Sequence, residues 1–425
     1  MKDITVILAH YSNLAAIRKA LASLKNIDSR LDSIIILHEQ AMSLNTIQND
    51  SNVKQIQSIP LQENDLGKTL NNLIHKIHSS YVLFLQHTDY LSPAVQPESL
   101  HLSQTDPFLK TLYRNRNIAV EHPLLVSTAF LKRQQFLTNF QLPFKEALFP
   151  AWLFDKPSPE KSYRDNFVLQ SRKNSSANNM EKQKFMQKYQ LNKNKTANPS
   201  LSVLISNYNM EKYVETAVAS CLLQNEQPEQ VLIMDDGSTD NSYHRLQQWN
   251  DGKLVKVFSK KNEGKAIAFN HLLPHVTSEF ILELDADDWL DPDAIFVIKS
   301  HLANLSEEVA VLYGNLRKWK QSAEDVLFKG VKKGKIINGR TDLLSYHFPL
   351  GPRIYRTLNL KRIGGFPVIS YKDGRLYEDV SVLNELIKKD RFQYRDFTVY
   401  NVREHKESIT QTNLPNWNEY LKSLK

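Results

Sequence analysis

The chain states one pattern twice. Residues 4–13 (ITVILAHYSN) resemble residues 201–210 (LSVLISNYNM); each is a short apolar run that ends in a polar loop with one tyrosine. Residues 33–39 match 230–236 at the same spacing, and Gly67-Lys68 falls opposite Gly264-Lys265. Residues 81–85 fall opposite 280–284, and Leu91-Ser92-Pro93 opposite Leu290-Asp291-Pro292. Tyr163-Arg164-Asp165 is echoed by Tyr394-Arg395-Asp396, by which point the offset has grown from 197 to 231 residues. Six matches in one order are what a duplicated fold with altered loops leaves behind. The expected division is a first domain at 1–175, a basic linker at 176–198 and a second domain at 199–425.

Each copy reads as strand, helix, strand, loop, helix, strand. In the second, residues 201–205 and 230–234 are apolar strands, and Val214, Val218, Cys221 and Leu222 have helical spacing. Strands alternating with helices predict an α/β fold with a mostly parallel sheet covered on both faces. Ligands of such sheets bind beyond the carboxyl ends of the strands. Asp235-Asp236 and the cluster Asp285-Ala286-Asp287-Asp288 both fall at such ends.

Composition narrows the classes. At 425 residues and 41% hydrophobic, the chain is neither fibrous nor disordered. Its apolar runs fall far short of the ~18 residues a membrane span needs, and residues 1–13 turn polar too soon for a secretory signal. The single cysteine, Cys221, excludes an intramolecular disulfide and argues against a thiolate zinc site. A reducing cytoplasm is the expected compartment. The whole net charge of +8 lies in residues 1–200, and residues 172–195 hold seven basic residues against one acid. That run reads either as a solvated linker or as contact with a polyanion. Met180, Phe185, Met186, Tyr189 and Leu191 within it predict an amphipathic helix, packed between domains or laid on the inner membrane face.

The carboxylates carry the chemistry. Three acids in four residues repel one another unless a cation neutralises them, and Mg²⁺ or Mn²⁺ would use their oxygens while keeping positions for phosphate. The alternative is an Asx turn at a strand end. A carboxylate at Asp235 or Asp236 can accept from a nucleobase imide or a ribose hydroxyl. Lys265 opens a helix whose free N–H groups suit phosphate or simply cap a turn. Glu378-Asp379 opens another helical run, either as a general base pair or as acids favoured by the helix dipole.

Taken together, LSVLISNYNMEKYVETAVASCLLQ, IMDDGSTDNS, NEGKAIAFN, LELDADDWLDPDAI, GGFP, YEDV and REHKESIT occur in the order seen in glycosyltransferase family 2. The resemblance spans residues 199–412. It implies two tandem domains of the GT-A, Rossmann-like fold, the second catalytic and the first degenerate. It implies that Ser206 and Asp236 contact the base with Asp235 nearby, and that Lys265 and Asp285 face the nucleotide. Asp285, Asp287 and Asp288 would hold Mn²⁺ or Mg²⁺, with His405 reaching the metal or diphosphate. Asp379, supported by Glu378, would be the catalytic base. The implied reaction is inverting transfer from a nucleotide-diphospho-sugar, UDP-linked by analogy, to a hydroxyl acceptor such as a bacterial wall, capsule or spore-coat glycan. The Gln-X-X-Arg-Trp signature of processive synthases is absent, so one or a few sugars are expected. Neither nucleic acid nor a fixed oligomeric state is implied.

The first copy departs where chemistry would sit. His38-Glu39 stand opposite Asp235-Asp236, Gln86-His87-Thr88-Asp89 opposite the acid cluster, Pro150-Ala151 opposite Glu378-Asp379, and Asn174 opposite His405. A non-catalytic domain is expected, one that binds acceptor, dimerises or braces its twin. Two rivals remain for the whole chain. One is a tandem binding protein without turnover. The other is a nucleotidyltransferase, whose Gly-rich basic loop is missing from residues 206–210. Pro352-Arg353 and Tyr355-Arg356 read as contacts for an anionic acceptor or as surface ion pairs.

Overall fold

The computed structural model describes residues 2–39, 56–103, 106–154, 156, 163–171, 175–196, 198–323, 325–345, 350–369, 377–406, 417 and 419–420. The chain forms two compact units, Met1–Gln190 and Leu191–Lys425. The first contains β1 (Ile4–Ala9), α1 (Leu14–Ser23), β2 (Leu31–His38), β3 (Ile56–Pro60), α2 (Leu66–Leu73), β4 (Tyr81–Gln86) and β5 (Asp89–Leu91). It continues with β6 (Phe108–Asn115), β7 (Ile118–Ser127), α3 (Thr128–Leu131), α4 (Leu148–Leu153), β8 (Val168–Gln170) and α5 (Ala177–Gln187). Its main sheet runs β3-β2-β1-β4-β7-β6. β1 to β4 are mutually parallel, and β7 and β6 are antiparallel additions.

The second unit contains β9 (Leu201–Asn207), α6 (Val214–Leu222), β10 (Gln230–Asp235), α7 (Ser242–Gln247), β11 (Val255–Ser259), α8 (Lys265–Leu272), β12 (Phe280–Asp285) and β13 (Trp289–Leu290). Beyond these come α9 (Ala294–Leu302), β14 (Val309–Gln321), β15 (Val326–Lys332), α10 (Arg340–Ser345), β16 (Ile354–Arg356), α11 (Thr357–Arg362), α12 (Glu378–Leu386) and β17 (Arg391–Glu404). The sheet order is β11-β10-β9-β12-β16-β14-β17-β13, with β15 beside β14. Both units are therefore α/β with a parallel-rich sheet.

The duplication holds at the level of register. Ile4 pairs with Tyr81 as Leu201 pairs with Phe280. Thr5 pairs with Ser33 as Ser202 pairs with Gln230. Even the buried polar contacts below the strands recur. Thr5 and Ser33 hydroxyls meet at 3.0 Å, Ser202 donates to Gln230 at 3.3 Å, and Ser79 and Ser278 each donate to the carbonyl two residues on. Tyr163 bridges β6 in parallel, as Tyr394 pairs with Tyr313 on β14.

In the second unit the two sheet faces bury separate cores, as strand alternation requires. Leu201, Val203 and Ile205 pack with Val214, Val218 and Cys221 of α6. Leu204 and Leu232 pack with Ala266, Phe269 and Leu272 of α8. Burial pushes the Cys221 thiol up to about 12, so it behaves as an inert core residue. No helix among the described residues is long and apolar enough to cross a membrane.

The two aligned glycines act differently. Gly264 has φ +96°, a conformation most residues avoid. Gly67 lies where an added Cβ would sit 1.9 Å from the Leu137 carbonyl oxygen. Gly67→Ala is expected to cost the first unit about 1–3 kcal/mol, read as a lower denaturation midpoint; an unchanged midpoint would mean that the backbone yields there freely.

The stretch expected as a linker at 176–198 divides between the two units at Gln190 and Leu191. α5 packs into the first unit through buried Phe185, Met186 and Tyr189, with Phe185 against Phe144 at 5.4 Å. Lys182 is 1% exposed and bonds Glu146 at 3.0 and 3.1 Å. Further on, Asn194 donates to the Asn225 carbonyl and Thr196 to Glu226 within the second unit. The basic run is thus built into the two units, because a lysine buries its stem while its ammonium finds a carboxylate.

Candidate functional site

The carboxyl ends of β9, β10 and β12 meet the N-termini of α8 and α12 and the end of β17. Ser206, one residue before the end of β9, lies between Met234 and Asp285 in register. Asp235 is 1% exposed and shapes its own loop, accepting from Asn207 (2.7 Å), Ser238 Oγ (2.6 Å) and Ser238 N–H (3.0 Å). Asp236 accepts from the N–H groups of Glu263 (3.0 Å) and Gly264 (2.8 Å) and from Lys260. The two acids therefore pin the loops after β10 and before α8.

The DADD turn separates three acids that look equivalent in sequence. Asp285 takes the Lys265 ammonium at 2.5 Å. Asp288 is buried and accepts the Arg403 N–H at 2.8 Å. Burial, then Asp287 and Asp285, hold the Asp288 carboxyl well above its ordinary range. Asp287 faces His405, with Oδ2 and Nε2 2.9 Å apart. Arg403 fixes this turn. Its Nε donates to the Asp287 carbonyl at 2.9 Å, and its guanidinium lies over Tyr213 and Trp289 at 4.8 and 4.7 Å.

Beneath lies an ionic network. Arg353 forks onto Glu283 (2.8 and 2.7 Å) and reaches Asp379 at 3.2 Å, while Tyr355 donates to Glu283 at 3.0 Å. Lys265 also meets Glu283 at 2.8 Å and Glu378 at 3.7 Å. Burial works against the Lys265 charge, but Asp285, Glu283 and Glu378 outweigh it and hold its proton well above the usual range. Burial raises Glu378 to about 7, partly countered by Lys265 and reinforced by Asp379. Glu283, raised by burial alone, is held low by Arg353 and Lys265.

Glu283 and Arg353 were not among the sequence-derived site residues. The signal for Glu283 was a lone acid in the apolar strand FILEL. Arg353, read as a surface residue or an acceptor contact, is 8% exposed and committed to Glu283 and Asp379. His405, set in a charged stretch of sequence, is also buried. Leu376, Glu407 and the residues to 416 lie outside the described residues, as does Asn174.

The acids implied for a divalent ion are divided among separate partners. No group of three or more His, Cys, Asp or Glu side chains among the described residues is arranged to hold a metal. Asp285 and Asp288 are turned to Lys265 and Arg403. Asp287 and His405 do fit. Two donor atoms 2.9 Å apart match neighbouring ligands of a hard cation with bonds near ~2.1 Å, whose other positions go to water and substrate phosphate.

The first unit has lost this network. Register places Phe84 and Leu124 where Glu283 and Arg353 stand, and Phe84 packs on Phe136 and Phe149 at 6.4 and 5.2 Å. Pro150 and Ala151 are buried in α4. Of the acid cluster, Asp89 alone persists, at the position of Asp288. It is fully buried, accepts from the Gln86 N–H at 3.0 Å, and is raised to about 7 by burial against its hydrogen bonds.

Comparison with known proteins bears on the first part of the second unit. Residues 202–333 match the family model of glycosyl transferase family 2, so the second unit carries a domain of that family. Among relatives, the chondroitin synthase of Escherichia coli is 38% identical over 98 residues, 23% of this chain and 14% of that protein. An uncharacterised glycosyltransferase of Haemophilus influenzae is 34% identical over 111 residues, 24% of this chain and 44% of that protein. The chain thus spans less than half the length of either. Among solved structures, S. aureus TarS 1–349 with UDP-GlcNAc has TM-score 0.39 at 20% identity, covering 50% of this chain and 61% of that one. The mannosyltransferase PcManGT of Pyrobaculum calidifontis, with GDP-Man and Mn²⁺, has TM-score 0.38 at 14% identity, covering 59% and 72%. At these scores the likeness adds nothing to the topology above.

Proposed function

We propose that the second unit transfers a sugar from a nucleotide-diphospho-sugar to a hydroxyl acceptor, with inversion and without processivity. The observation that carries this reading is the meeting of Asp287 with His405 at 2.9 Å, in the turn whose Asp285 takes Lys265, itself 3.7 Å from Glu378, at the carboxyl ends of the parallel strands. The family 2 segment supports the reaction class.

In this reading Ser206, Asp235 and Asp236 wall the nucleotide pocket, and Lys265 with Asp285 closes its floor. Asp287 and His405 would hold Mn²⁺ or Mg²⁺, which when bound neutralises the leaving diphosphate. Asp379, at the first turn of α12 and oriented by Arg353, takes the acceptor proton as the hydroxyl oxygen attacks the anomeric carbon. Glu378 lies alongside and, raised to about 7, supplies a second proton acceptor. UDP is the favoured donor base, and a surface polysaccharide made at the cytoplasmic face is the favoured setting. The first unit, with Phe84 and Leu124 in place of charge, does no transfer.

Incubation of the chain with UDP- and GDP-sugars and Mn²⁺ tests this. One donor should release its nucleoside diphosphate faster when a glycan acceptor is added. Pyrophosphate release instead, or no release from any donor, would overturn it.

A further inference from the structure

The first unit keeps a cavity at the place where its twin has a site. About 500 Å³ opens between the end of β4, the β6–β7 hairpin and α5, within the ~300–1,000 Å³ of small-molecule pockets. Four carboxamides line it, Asn115, Gln170, Asn179 and Gln183, on walls that expose slightly more apolar than polar surface. Asn115 and Gln183 bond to each other across it at 2.9 Å.

The rings of the wall are held rigidly. His122 stacks on Tyr113 at 4.1 Å and bonds Gln86 at 3.1 Å. Tyr113 donates its hydroxyl to buried Asp89, which Gln170 also reaches at 3.2 Å. His87, in the lining, stacks on His10 at 5.3 Å. Both histidines have left-handed backbones, φ 56° and 59°, at the ends of adjacent strands. Such strain in non-glycine residues gathers at ligand sites.

Charge is balanced throughout. Glu146 in the lining is paired with Lys182, and Arg114 with Asp165 at 2.9 Å. Burial holds His87 below its usual value and His122 down to about 3, so both imidazoles are neutral and can donate from one nitrogen and accept at the other. A diphosphate would meet cations already committed to carboxylates. Sugar hydroxyls, each donor and acceptor at once, match carboxamides and neutral imidazoles.

We propose that this cavity binds an uncharged saccharide, so that the first unit is a glycan-binding module. Only the further step, that the saccharide is the acceptor or product of transfer, rests on the function proposed above. The binding is tested on the full chain carrying Asp287→Ala, so that failure of the transfer reading leaves it untouched. The probes are chitobiose, cellobiose, maltose and lactose, followed by saturation-transfer NMR and titration calorimetry. At least one should bind with a dissociation constant near ~1 mM. Gln183→Ala and Asn115→Ala should each weaken it by about tenfold, the effect of a lost hydrogen bond. His87→Asn, which tolerates the left-handed backbone, should weaken it with the melting temperature unchanged. Silence from all four probes, equal binding by the carboxamide variants, or displacement of the bound disaccharide by UDP would overturn the proposal.

Discussion

Asp379→Asn is expected to lower nucleoside diphosphate release by about 10²–10⁴-fold, the usual contribution of a positioned general base. The amide keeps the size of the carboxylate but cannot take a proton. Asp379 sits in the first turn of α12, and its place is set by Arg353 at 3.2 Å rather than by the nucleotide loops. Binding of the donor should therefore survive while turnover falls. Glu378→Gln should cost much less if Asp379 is the base. The reverse order of losses would transfer the role to Glu378, whose proton affinity near 7 suits it to neutral pH.

Arg353→Met is expected to destabilise the second unit by about 3–5 kcal/mol, the cost of leaving a buried charge without its partner. Glu283 would be stranded at 3% exposure with only Lys265 and Tyr355 beside it. The first unit suggests the compensating change. At these two positions it places Phe84 and Leu124. A Glu283→Phe, Arg353→Leu double variant should recover much of the stability lost by Arg353→Met, because apolar replacement of a whole buried pair is often neutral. It should still lose transfer, since Asp379 loses its anchor. Chemical denaturation of the three proteins measures this. A double variant no more stable than Arg353→Met would mean that the network holds the fold and not only the site.

Much of this was legible in the sequence because strand register leaves a mark. The pairing of Ile4 with Tyr81 and of Leu201 with Phe280 follows from apolar runs at matching offsets. The acid cluster was also visible, but not the division of labour within it. Asp285, Asp287 and Asp288 differ only in what comes to meet them, and Lys265, His405 and Arg403 arrive from 20, 118 and 115 residues away. No local pattern carries that information. Arg353 was misread for the same reason, its partner Glu283 being 70 residues upstream. In the 172–195 run the apolar set marked a packed helix, but composition does not record that Lys182 lies beside Glu146.

The central claim is that Asp287 and His405 anchor a divalent ion for a donor diphosphate. Thermal melting with UDP, GDP or CDP, each with and without Mn²⁺, tests it most directly, since a ligand of the folded state raises stability by mass action. One diphosphate should raise the midpoint of the wild-type chain only when Mn²⁺ is present, and Asp287→Ala and His405→Ala should abolish that rise. A shift of equal size without metal, or one that persists in both variants, would contradict the account.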